Sequence, residues 1–175
     1  MEQTVTAGAA ETDLDAGSSG GELIFAHDDS PGTKTTHEIN WNIEASDSAE
    51  GSSLNNVEIR HPSSVDFPDV DSQSDIIAAG IDEDGDGSID DTATVECCPS
   101  DSDSDGDVDG DGIYQGYSGD PDILRIEFQG NADLDAGETM IIKIQNVDNP
   151  DSSGSYTVDI NIDGAQTETG TLEIS

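Results

Sequence analysis

Large apolar residues recur at every second position in several short runs of this chain. From Thr36 to Glu44, His37, Ile39, Trp41 and Ile43 alternate with Glu38, Asn40, Asn42 and Glu44. Successive side chains of a β-strand point to opposite faces, so this pattern predicts a half-buried strand. Leu124, Ile126 and Phe128 alternate with Arg125, Glu127 and Gln129 in the same way. Met140, Ile142 and Ile144 alternate with Ile141, Lys143 and Gln145, and Tyr156, Val158, Ile160 and Ile162 alternate with Thr157, Asp159, Asn161 and Asp163. Val57, Ile59 and His61 form a shorter set. Glu22–Ala26, Thr92–Glu96 and Thr169–Ile174 complete the strand candidates.

Turn residues separate these runs: Asp135-Ala-Gly137, Asn149-Pro150-Asp151, Ser152-Ser153-Gly154 and Asp163-Gly164. No stretch has the period of an amphipathic helix. Seven to nine short strands with turns between them predict an all-β fold, an antiparallel sandwich that is Ig-like in the broad sense. The 17 isoleucines fit, because β-branched side chains pack well on a pleated face. Residues 21–175 read as one domain, preceded at 1–20 by an Ala/Gly/Ser/Thr-rich segment. In that segment Thr4–Ala7 could serve as a strand exchanged with a neighbour.

Composition changes the picture. The 175 residues include 41 Asp+Glu and only 4 Lys+Arg, a formal charge of −37. Low apolar content with such a charge is the signature of a disordered chain. The alternating runs point the other way, so folding is expected to depend on salt, calcium or both. Like charge repels, so nucleic acid and anionic membrane are poor partners. No apolar run approaches the roughly 20 residues of a membrane-spanning helix. At about 1 M salt the Debye length is only about 3 Å, so a dense acidic surface is tolerated there. Abundant Asp, Ser, Thr and Gly with scarce Lys indicate a salt-adapted source.

The acids are concentrated locally: Asp82 to Asp111 holds 13 carboxylates and no basic residue. This stretch defines an insertion at 81–119. Asp82-Glu-Asp84-Gly-Asp86-Gly87-Ser88-Ile89-Asp90-Asp91 places Asp at loop positions 1, 3, 5 and 9, with Gly at 6. Nineteen residues on, Asp101-Ser-Asp103-Ser-Asp105-Gly106-Asp107-Val108-Asp109 repeats the arrangement. Alternate side chains of a curled loop converge on one centre, a glycine at 6 permits the turn, and position 7 offers a carbonyl. Ser88 and Asp107 occupy position 7. Hard oxygen donors in this number suit Ca²⁺. Position 12 is Ala93 or Gly112 rather than the glutamate of a helix–loop–helix site. Asp91 and Asp111 are candidates for the missing ligand. An overlapping register, Asp107-Val-Asp109-Gly-Asp111-Gly112, could hold a third ion or compete with the second loop.

With extended rather than helical flanks, the loops resemble the Asp-rich calcium repeats of thrombospondin type 3 proteins. The segments Thr36-His37-Glu-Ile-Asn-Trp41, Gly51-Ser-Ser-Leu-Asn-Asn56, Gly80-Ile-Asp-Glu-Asp-Gly-Asp-Gly87, Asp135-Ala-Gly-Glu138 and Asn149-Pro-Asp-Ser-Ser-Gly-Ser-Tyr-Thr-Val158 occur in that order. Together they resemble β-sandwich domains of haloarchaeal secreted and cell-surface proteins, including surface-glycoprotein-like modules. The resemblance implies an extracellular structural or adhesive role and carries over no catalytic residue.

No Gly-x-Ser-x-Gly, P-loop or His-Glu-x-x-His occurs, and no carboxylate pair stands out for acid–base work, so no enzyme activity is expected. His37 and His61 fall on inward strand faces and read as packed residues; His27 reads as loop. Cys97-Cys98 suits a vicinal or intersubunit disulfide in an extracellular setting, with two free thiols the alternative, and no second ligand pair supports zinc. No basic start with an apolar core opens the numbering, so an export signal is expected to lie outside it. Two roles compete. The first is a structural subunit that self-associates into a homopolymer or surface lattice. The second is a calcium-dependent adhesion module, with Tyr114 and Tyr117 as contact aromatics.

Overall fold

The computed structural model describes residues 22–62, 67, 69–96 and 112–175. Ten strands lie among them: β1 Ile24–Ala26, β2 Lys34–Asn42, β3 Asn56–Arg60, β4 Ile76–Asp82, β5 Asp91–Thr92, β6 Ile113–Gln115, β7 Ile123–Glu127, β8 Thr139–Asp148, β9 Gly154–Ile162 and β10 Gln166–Ile174. They form two antiparallel five-stranded sheets, ordered β1-β2-β8-β4-β5 and β10-β9-β3-β7-β6. The all-β sandwich expected from the alternating pattern is the observed architecture.

One core lies between the sheets. Ile39, Trp41, Ile142 and Ile144 enter it from the first sheet, and Val57, Ile59, Leu124, Ile126, Val158, Ile160 and Leu172 from the second. Their polar alternates face outward. On the outer face of the first sheet Glu38 stands opposite Lys143 and pairs with it at 3.1 Å. Removing apolar area from water contributes roughly 25 cal/mol per Å². Concentrating the few large side chains into one layer is what lets so acidic a chain fold.

Two strands escape the alternating pattern. In β4 the pairing with β8 slips between Ile76 and Ala78, and Ile77 is left half exposed. The period-two signal breaks at that bulge. β6 has only three residues and carries no readable period. The Thr92–Glu96 candidate is narrower than expected. β5 ends at Thr92, and the chain then crosses to the other sheet, where Val95 bridges Phe128. The 81–119 stretch therefore contributes one edge strand to each sheet.

Candidate metal centre

The turn between β4 and β5 carries the first acidic loop. Asp82, the last residue of β4, is almost fully buried. Its Oδ1 accepts the Gly85 N–H and its Oδ2 the Gly87 N–H, both at 2.8 Å. Both glycines have left-handed backbones, with φ of 77° and 85°. A Cβ disfavours this conformation, so glycine at these positions allows the loop to curl round the Asp82 carboxylate. Asp84 Oδ1 accepts the Asp86 N–H at 3.2 Å, and Asp86 Oδ1 accepts the Ser88 N–H at 2.8 Å.

One carboxylate oxygen from each of Asp82, Asp84 and Asp86 lies within 4.8 Å of the others. Two oxygens that both touch one Ca²⁺ at 2.3–2.6 Å are at most about 5 Å apart. This donor set therefore fits a calcium ion in chemistry and in spacing. Asp90 and Asp91 lie outside that cluster. Asp90 Oδ2 accepts the Glu83 N–H at 3.0 Å and closes the loop. Asp91 sits on β5 opposite Ile81. The second-loop residues Asp101, Asp103, Asp105, Asp107, Asp109 and Asp111 fall outside the described residues, as do Cys97, Cys98 and Thr4–Ala7.

The electrostatics leave this cluster without a cation from the chain. Lys34 pairs with Asp69 and Asp148, Arg60 with Asp120, Arg125 with Glu58 and Glu127, and Lys143 with Glu38. All four basic side chains are thus paired elsewhere, and none of them reaches the loop carboxylates. Glu138 was not legible as part of this site. It precedes Thr139, which stands opposite Asp82 across the β4–β8 pairing. Burial pushes the Glu138 carboxyl above its ordinary value, and Asp135, Glu83 and Asp91 add negative potential in the same direction. In the sequence Glu138 belongs to a turn 47 residues beyond Asp91, and only strand register brings their charges together.

A second polar cluster sits inside the sandwich. His37 of β2 and His61, just after β3, come from opposite sheets, and their ring centroids are 5.3 Å apart. Phe67 meets His61 edge-on at 4.9 Å. His37 Nε2 bonds Asn149 Oδ1 at 2.8 Å, and the Asn149 amide donates to the Asp28 and Ser30 carbonyls. Both histidines are buried, as their strand positions predict, and neither Nδ1 has a partner among the described residues. Burial depresses the His37 imidazole to about 4 and holds that of His61 well below its ordinary value. Such a neutral, enclosed pair serves packing. Tyr114 and Tyr117 are half-buried and meet edge-on at 6.3 Å, with the Arg125 guanidinium 4.5 Å over the Tyr117 ring. Their aromatic surface is partly used in contact with each other and with Arg125.

No family model matches this chain, and no curated protein matches it. Among solved structures it is similar to BslA, a bacterial hydrophobin, with a TM-score of 0.41 and 12% identity over 87% of this chain and 92% of that one. It is also similar to domains D2 and D3 of the major pilin SpaD from Corynebacterium diphtheriae, with a TM-score of 0.36 and 9% identity over 84% of this chain and 47% of that one. Likeness at this level transfers no function.

Proposed function

We propose that this chain is a calcium-stabilised structural subunit of an extracellular surface assembly (a filament, sheath or surface layer) in a salt-adapted archaeon. The observation that carries the reading is the Asp82, Asp84 and Asp86 cluster, whose oxygens lie within 4.8 Å of one another with no basic side chain paired to them. Asp82 is also the end of β4. A Ca²⁺ there would offset two of the three carboxylate charges and tie the β4–β5 turn to the sheet. Calcium would then act as part of the framework, which suits a load-bearing module exposed to an outside calcium pool. The remaining acidic surface keeps the subunit soluble in molar salt, where exposed carboxylates barely repel.

Calorimetric titration tests the metal. Asp84 is exposed, and asparagine keeps its acceptor for the Asp86 N–H while removing the charge. Asp84→Asn is expected to weaken calcium binding at the first loop about tenfold or more, since site affinity follows ligand charge. Adding Asp103→Asn is expected to weaken the second loop as well. An isotherm unchanged in the double variant would refute the ligand assignment. Electron microscopy in high salt tests the assembly: ordered polymers are expected with Ca²⁺ and their loss with a chelator. A folded monomer under every condition would refute it.

A further inference from the structure

The four edge strands of the two sheets are unequal. β1, β5 and β6 have three, two and three residues, whereas β10 has nine. Short edges are one of the ways a sheet avoids pairing with other chains. Apart from the charges of Glu168 and Glu173, β10 lacks the bulge, lysine or proline that protects other edges. Its pairing with β9 runs without a register shift from Gln166↔Ile162 to Ile174↔Gly154, so no bulge turns it away. It contains no Lys, Arg or Pro. On its outer side no strand pairs with it among the described residues. An edge of nine residues, about 30 Å long, is a template for one more strand as far as Ser175, whose N–H donates to the Asp29 carbonyl at 2.9 Å.

We propose that the N-terminal segment of a neighbouring copy, through Thr4–Ala7, adds to the free edge of β10. This rests on the assembly reading above and names its contact.

Two observations favour that occupant. The first is where the outlying chain starts. Leu23, just before β1, lies so close to the middle of β10 that a Cβ at Gly170 would fall 3.1 Å from its side chain. Gly170 is buried, so Leu23 packs on the inward face of β10, and the described chain begins next to that strand. Fifteen residues separate Ala7 from Leu23, and extended they span up to about 50 Å, enough to reach the next subunit. The second is charge. β10 carries Glu168 and Glu173, so pairing two β10 edges would bring four glutamates to one seam of a chain already at −37. Gln3–Ala10 is a run of eight residues without a charge. It can pair through backbone hydrogen bonds without adding a carboxylate, with the β-branched Thr4, Val5 and Thr6 suited to an extended strand. Strand addition of this kind joins unlike surfaces, and such head-to-tail contacts build open polymers rather than closed dimers.

Cysteine pairs in the full-length chain test this, with Cys97 and Cys98 replaced by serine. Val5→Cys or Thr6→Cys is combined with Thr169→Cys or Thr171→Cys and oxidised in high salt with Ca²⁺. A ladder of covalent oligomers on a non-reducing gel is expected from at least one combination. Val5→Pro is expected to abolish polymers in sedimentation while leaving the thermal unfolding of the monomer unchanged. Crosslinks within one chain would overturn the proposal, because the edge would then be closed by its own leader. Oligomers from Thr171→Cys alone would overturn it in favour of paired β10 edges. Polymers that form without any leader-to-β10 crosslink would overturn it and leave the assembly reading standing. Monomers without crosslinks would overturn both.

Discussion

Between pH 6.5 and pH 4 the sandwich is expected to lose about 3 kcal/mol of stability through His37 alone. The direction follows from proton binding. In the unfolded chain the imidazole titrates near 6.5; in the folded protein burial among apolar side chains lowers it to about 4. As the pH falls below 6.5, the unfolded state takes up a proton that the folded state refuses. Stability is whole above 6.5 and declines until the folded imidazole itself titrates near 4. His61 is depressed for the same reason, with the His37 charge opposing it further, so it adds to the loss. Neither Nδ1 has an acceptor among the described residues to stabilise an imidazolium. Surface carboxylates work against this trend, because protonating them relieves repulsion. The measurement therefore belongs at about 1 M salt, where that repulsion is largely screened. Thermal unfolding from pH 7.5 to 4.5 should show the melting temperature falling steeply for the wild type. It should fall less for His61→Phe, which fills similar space beside Phe67 without a proton site. Parallel curves for the two proteins would show that the pair does not control acid stability.

Gly80→Ala is expected to cost about 3 kcal/mol, a large effect for one methyl group. A Cβ at Gly80 would lie 2.2 Å from the Asp91 carbonyl oxygen and 2.4 Å from Ile89 Cγ2. The carbonyl belongs to the backbone of β5, so a side chain cannot simply swing aside. The β4–β5 pairing, which consists of Gly80↔Thr92 and Ile81↔Asp91, would have to part. Asp82 lies two residues further on, so calcium binding should weaken together with stability. Gly85→Ala is the control. Its Cβ would meet nothing within 4 Å, and only the left-handed backbone resists it, at roughly 1–2 kcal/mol. Denaturant unfolding of both variants checks this. Equal losses would mean that the close approach at Gly80 does not clamp the loop.

Much of the fold and part of the site can be read in a short window of the chain. β2, β3, β7, β8, β9 and β10 announce themselves because a half-buried strand needs only its own alternation to show which side is apolar. The curl of Asp82–Asp86 is equally local, since its donors and acceptors lie two to five residues apart. β4 hides because a bulge shifts its phase at Ile77, and β6 because three residues hold no period.

The charge of −37 and the spacing of the first acidic loop settle, without coordinates, that the chain has more carboxylates than its own cations can match. Alternation likewise settles that the chain builds strands with one apolar face. Which remote residues meet is a different matter. The His37–His61 contact, the approach of Glu138's charge to the acidic loop, and the place of β10 at the end of its sheet all depend on strand order and register. Those come from hydrogen bonding between segments tens of residues apart, under the demand that both apolar faces share one core. A two-residue period says which side of a strand is buried; it says nothing of which strand lies beside it.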